Sequence, residues 1–238
     1  MPTLDYLDHL RRSSQRLVDT ADGHLADVVP GCPGWNVADL AYHVGRVDDF
    51  WTAMATGGDP EQYVRPPQPA DDEVVAWFAA QADRLADTLT AADPATPAWS
   101  FWGTRDVAFV RRRIAHETAV HAWDAGDAAG ARVPIDAALA VDGIDEFFEI
   151  FSPLTPGTPV APVTTVHLHA TDAEGEWLVS VGGGQFEIEH GHAKGDVAVR
   201  ASASDLLLLL WNRVDLSEDR YAVFGDAQAF AALRGTNG

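Results

Sequence analysis

The apolar residues of this chain follow two rhythms, one in each half. In the first half they recur every three or four residues, the period of a helix with a single buried stripe. Four such stretches are predicted. Residues 4–21 carry Leu4, Leu7, Leu10, Leu17 and Ala21, and residues 37–55 carry Val37, Leu40, Val44, Val47, Trp51 and Met54. Residues 71–90 carry Val74, Phe78, Ala82, Leu85 and Leu89, and residues 106–127 carry Val107, Val110 and Ile114. Turn signals separate them: Pro33-Gly34-Trp35 reads as a turn, and Asn36 as an N-cap with Asp39 at N3, an imperfect capping box. Four helices of similar length joined by Pro-rich loops predict an antiparallel bundle.

After about residue 130 the rhythm changes. A helix is expected over 135–151, then a Pro-rich segment, then period-two alternation over 163–170, 176–181, 185–190 and 196–201. Gly182-Gly183-Gly184 has strands on both sides, so it reads as a hairpin turn rather than a phosphate loop. Ser202 is placed to cap a helix running through Trp211, and a short final helix is expected over 226–233. The expected fold is therefore α+β, with a bundle over residues 1–130 followed by a smaller α+β domain over 131–238.

Two polar residues break the first rhythm. The stripe Val107, Val110, Ile114 continues into Glu117 and His121, which project about 40° apart on the helix. Their place on a core-facing stripe is costly unless something compensates them, and a divalent metal does so directly. His43 lies beside the seam of the second helix, three residues after Leu40 and four before Val47. Two imidazoles and a carboxylate from two facing helices make a three-donor set with positions left open, the arrangement of a catalytic site. Zinc suits these donors, and nickel, iron and manganese accept the same ligand types. The spacing also fits two plainer readings: a solvated Glu–His pair and a hydrogen-bonded core histidine. His116 lies about 140° from His121 around the helix and cannot share an ion with it.

Composition narrows the partners. Thirty-six acidic residues against sixteen basic ones give a net charge of −20, which repels nucleic acid and anionic membranes. An anionic substrate would need a local arginine: Arg46 follows His43 by three, Arg111-Arg112-Arg113 precedes Glu117, and Arg213 follows the helix ending at Trp211. Each of these is otherwise a surface ion pair. Cys32 is the single cysteine, which excludes an intrachain disulfide; it reads as a packed thiol, with no base placed to activate it. The longest apolar run near the C-terminus is six residues, and no signal pattern opens the chain, so a cytoplasmic protein is expected. His167 and His169 share one strand face, as do His190 and His192 if their strand continues; metal binding and an ordinary polar strand face both give this pattern.

Two stretches together resemble the mycothiol-dependent maleylpyruvate isomerase family, within the wider DinB-like metal-dependent bundles. They are Cys32-Pro33-Gly34-Trp35-Asn36-Val37-Ala38-Asp39-Leu40-Ala41-Tyr42-His43 and His116-Glu117-Thr118-Ala119-Val120-His121-Ala122-Trp123-Asp124. The run from Ile135 to Phe147 looks like the opening of that family's C-terminal domain. The resemblance implies a DinB-like four-helix bundle, a zinc-type ion on His43, Glu117 and His121, and an essential C-terminal arginine, mapped onto Arg213 by its helix-end position. It also implies mycothiol as cosubstrate: a metal lowers the thiol pKa, and the thiolate adds to an electrophilic small molecule. An isomerase then rotates the adduct and eliminates the thiol, whereas an S-transferase releases the adduct. The implied partners are that electrophile and a low-molecular-weight thiol, with the chain a monomer or homodimer. Two rival readings are a hydrolase whose ion activates water, and a non-catalytic family member that binds a small molecule.

Overall fold

The computed structural model describes residues 4–151, 164–182, 185–227, 230 and 233. It divides into two compact units, Met1–Val133 and Pro134–Gly238.

In the first unit the predicted stripes become four helices: α1 (Tyr6–Ala21), α2 (Val37–Ala55), α3 (Asp71–Ala91) and α4 (Val107–Ala128). Each of α1 and α2 packs against both α3 and α4. Side chains start three of these helices at their N-termini. Asp39 N–H donates to Asn36 Oδ1 at 2.9 Å while Asn36 N–H donates to Asp39 Oδ2 at 3.1 Å, so aspartate at N3 completes the capping box. Asp5 and Asp106 cap α1 and α4 by accepting from the backbone N–H of Asp8 and Phe109. The stripe residues Leu10, Leu17, Leu40, Val44, Phe78, Leu85, Val107, Val110 and Ile114 are fully buried. A two-residue ribbon, β1 (Pro97–Ala98) with β2 (Arg105–Asp106), precedes α4; it is too short to show an alternating pattern.

The loop between α1 and α2 positions part of the site. It closes through an antiparallel bridge between Val28 and Asn36, with Val29 N–H donating to Trp35 O at 3.0 Å. Gly34 turns the chain at φ +86°, a conformation that suits glycine. This turn seats Cys32 in the core beside Val37 and Ala125.

The second unit is a helix pair on a five-stranded sheet. Helix α5 (Ala137–Glu146) is shorter than the expected 135–151 and passes into a π-helical turn, Phe147–Phe151. That wider turn buries Phe147, Phe148 and Ile150, and sets Phe147 and Phe151 against Trp211 with ring centroids 5.2 and 4.8 Å away. The strands are β3 (Thr164–Ala170), β4 (Glu176–Gly182), β5 (Gln185–His190), β6 (Val197–Ala201) and β7 (Ala222–Gly225), in sheet order β5-β4-β3-β6-β7. Only β3 and β6 run parallel; the other pairs are antiparallel. Strand β7 escaped the sequence reading because it is four residues long and mostly exposed, so it lacks alternation. Helix α6 (Ala203–Leu210), capped by Ser202 as expected, is buried on nearly every side, Leu206 to Leu210 included. The expected strand start at Val163, part of the Gly182-Gly183-Gly184 turn, and half of the helix expected over 226–233 lie outside the described residues. Among the described residues no helix is long and apolar enough to cross a membrane. The α+β class and the N-terminal bundle agree with the sequence reading.

Candidate metal centre

Helices α2 and α4 face each other at the three polar residues that interrupted their stripes. His43 Nε2 and His121 Nε2 each lie 3.4 Å from the same oxygen, Glu117 Oε1. The two rings meet edge to face with centroids 5.0 Å apart. One donor atom from each of the three lies within 4.8 Å of the others. A tetrahedral ion with bonds near 2.0–2.1 Å separates its donors by roughly 3.3 Å, so the set fits a divalent cation with little rearrangement. His116, the neighbour ruled out by helix geometry, turns instead toward α1, its ring edge on Tyr6 at 6.2 Å.

Each of the three is held by a further contact. His121 Nδ1 lies 3.0 Å from Asp124 Oδ2, and a carboxylate only accepts, so Nδ1 carries a proton and Nε2 is the nitrogen turned toward Glu117. The Cys32 thiol donates to the same Asp124 oxygen at 3.6 Å. Cys32, His121 and Asp124 therefore also cluster within 4.8 Å, as a buried supporting layer beneath the open set. Glu117 presents its other oxygen to Arg113 Nη2 at 2.5 Å, on the adjacent turn of α4. Trp35 stacks obliquely on the His43 ring, 4.8 Å between centroids.

The remaining contact at His43 carries information about its tautomer. Arg46 Nη2 lies 3.3 Å from His43 Nδ1. A guanidinium only donates, so this bond makes Nδ1 the acceptor and leaves the ring proton on Nε2, facing Glu117. An ion at Nε2 needs that proton moved to Nδ1, and Arg46 would then release the ring to face whatever binds beside it.

The charges suit such a site. Burial disfavours a charged Glu117, but Arg113 and the two imidazoles outweigh it and hold its carboxyl well below the usual range. Burial lowers the His43 pKa, with help from His121 and Arg46, so its ring is neutral at pH 7. Burial also disfavours a charged His121, yet Asp124, Cys32 and Glu117 raise it well above an ordinary histidine. Asp48 on α2 is fully buried, and neither carboxyl oxygen has a partner among the described residues. Burial, reinforced by the charge of Glu117, pushes its pKa well up, so it is held as the neutral acid.

The other sequence candidates fall elsewhere. Arg213 lies in the second unit, just past α6, where its Nη1 donates to Trp211 O at 2.8 Å. Arg111 donates to Leu89 O and Ala92 O and so caps α3. Arg113 was read only as one of the arginines open to an anionic substrate, and Asp124 was given no role, although spacing carries the signal: Arg113 stands four residues before Glu117, and Asp124 three after His121. Spacing alone did not tie Cys32 to Asp124, because that contact comes from the loop before α2, and Asp48 is linked to the site only through the charge of Glu117.

The first unit is thus a four-helix bundle with a His–Glu–His set of three donors, and the second an α+β unit. Residues 7–126 match the Mycothiol maleylpyruvate isomerase N-terminal domain and residues 138–232 the MDMPI C-terminal domain, so the chain belongs to the mycothiol maleylpyruvate isomerase family. Its fold is similar to a crystal structure of the mycothiol-dependent maleylpyruvate isomerase at TM-score 0.65 and 13% identity, covering 94% of this chain and 93% of that one. A histidine-to-alanine mutant of that isomerase aligns at TM-score 0.61 and 13% identity, covering 87% of this chain and 88% of the other. No curated protein shows significant sequence similarity to the chain.

Proposed function

We propose that this chain is a metal- and mycothiol-dependent enzyme that adds a thiol to an electrophilic small molecule. The reading takes His43, Glu117 and His121 as ligands of a divalent ion, zinc by donor type. The observation that carries it is the shared oxygen: both imidazole nitrogens lie 3.4 Å from Glu117 Oε1, in a set of three donors rather than four. When bound, the ion would act as a Lewis acid that lowers a thiol's pKa toward neutrality.

The chain's own groups do the rest. Asp124 fixes the His121 ring so that Nε2 faces the open set, and Arg113 keeps Glu117 ionised. Arg46, beside His43, offers a cation to the thiolate or to an anionic electrophile. Arg213 is assigned the binding of a substrate carboxylate, on the strength of the family resemblance. The thiol gives its proton to solvent, its sulfur adds to one carbon of a cis double bond while the π pair moves onto the conjugated carbonyl as an enolate, and the former double bond rotates as a single bond. Elimination of the thiol then returns the trans isomer. With an electrophile that cannot eliminate, the thioether itself is the product, which is the S-transferase outcome.

The test is turnover of maleylpyruvate, and of an alkylating probe such as monobromobimane, by the metal-replete protein with and without mycothiol. Turnover of either that requires the thiol and is abolished by a chelator is expected. Turnover without any thiol would replace this reading with the hydrolase. Failure of both substrates alongside stoichiometric ion would replace it with a binding role. Arg213→Lys should raise KM for a carboxylate substrate about tenfold or more while sparing the uncharged probe.

A further inference from the structure

The second unit carries a cluster that the proposed chemistry does not use. On β3, Val166, Leu168 and Ala170 are buried on one face, which leaves His167 and His169 on the other. Antiparallel pairing sets Glu176 of β4 directly opposite His169, on that same face. His192 arrives from beyond the end of β5. There Gly191 donates its N–H to Glu176 O at 3.0 Å and turns the chain at φ +117°, a conformation that L side chains rarely adopt.

All four side chains meet at one carboxylate. Glu176 Oε2 lies 3.0 Å from His167 Nε2 and 2.8 Å from His192 Nδ1, and Glu176 Oε1 lies 3.0 Å from His169 Nδ1. One donor atom from each of the four lies within 4.8 Å of all the others. The sequence pattern alone could not separate a metal site from a polar strand face, because the acid that joins the histidines comes from the neighbouring strand. Two features now favour the metal. The buried His167 sits at the centre, its ring 6.1 Å from that of His169 and 5.2 Å from that of His192. The exposed His192 turns its Nδ1 inward to the same carboxylate, though its surroundings leave it free to point into solvent.

The geometry points to a second divalent-cation site, built from His167, His169, Glu176 and His192, that takes zinc or a similar borderline ion. Three imidazoles and a carboxylate are zinc donors. The donors of a tetrahedral ion lie roughly 3.3 Å apart, and the three imidazole nitrogens already stand 2.8–3.0 Å from the Glu176 carboxylate. With four protein donors the ion keeps no open position, so this is a structural site: it ties β3, β4 and the exit of β5 together. It shares no residue with the bundle set and stands whether or not that set supports thiol chemistry.

The test is zinc binding by the full chain after chelator treatment, read by equilibrium dialysis and elemental analysis. The variant His43→Ala/His121→Ala, which lacks the bundle donors, should still bind one zinc per chain. Adding His192→Ala, a change at an exposed side chain that leaves the fold intact, should weaken that binding at least tenfold; Glu176→Gln should do the same. Zinc should raise the Tm of His43→Ala/His121→Ala and should not raise it once His192 is replaced. The proposal is overturned if His43→Ala/His121→Ala binds no zinc at micromolar concentration, or if its binding is indifferent to both His192→Ala and Glu176→Gln.

Discussion

The two histidine clusters of this chain offer the same donor types in different numbers. In the bundle, three donors come from the facing helices α2 and α4, and each is held from outside the set. Asp124 holds His121, Arg113 holds Glu117, and Trp35 and Arg46 flank His43. In the sheet, four donors converge on Glu176, one of them from a segment beyond a strand end. Three donors with outside support leave a position for a ligand, whereas four fill the position that chemistry would need. On this account the number of donors, rather than their kind, separates a reactive centre from a staple.

The sharpest way to break the comparison is Glu117→Gln. It removes the charge that both imidazoles and Arg113 Nη2 face. Ion affinity at the bundle should fall more than about 100-fold, and thiol-dependent turnover should vanish with it, while zinc at the sheet is untouched. His116→Gln, one residue away but turned toward α1, should change neither; equal retention of ion in both variants would refute the facing-helix argument.

Asp124→Asn tests the outside support. It removes the carboxylate that fixes the His121 tautomer, and isothermal titration should show metal affinity at the bundle down about 10–100-fold. Gly191→Ala probes the other cluster. The φ of +117° should cost a Cβ-bearing residue about 1–2 kcal/mol, so zinc binding at the sheet should weaken roughly tenfold with the bundle unaffected.

The smallest effect is on stability. Asp48, whose carboxyl oxygens have no partner among the described residues, takes up a proton on folding whenever the pH lies between its unfolded and its raised folded pKa. The folded state then binds more protons than the unfolded one, so stability falls as pH rises through that window. Asp48→Asn should therefore stabilise the chain by an amount that grows by at most about 1.4 kcal/mol per pH unit, measured by urea unfolding across the window. A gap independent of pH would mean that Asp48 is not held protonated.

The same contrast explains what could be read beforehand. Helical spacing is local, so the placement of Glu117 and His121 on one stripe, and of His43 beside the facing seam, was legible from periodicity, as were the four helices and the Asn36 cap. Sheet partners are not local. His167 and His169 were visible as a pair, but Glu176 joins them only through the β3–β4 register, and His192 only through the turn at Gly191. Cys32 reaches Asp124 across ninety-two positions of sequence, a contact no spacing rule announces. Strand β7 and the β1–β2 ribbon are too short for any period to show.

The most direct test of the account is cobalt substitution followed by addition of mycothiol. A sulfur-to-cobalt charge-transfer band in the near ultraviolet can arise only where the ion keeps a free position, which the four-donor sheet site does not. The account predicts that the band appears on thiol addition, saturates at one equivalent and is absent in Glu117→Gln. A protein that holds cobalt at His43, Glu117 and His121 yet shows no such band with mycothiol would contradict it.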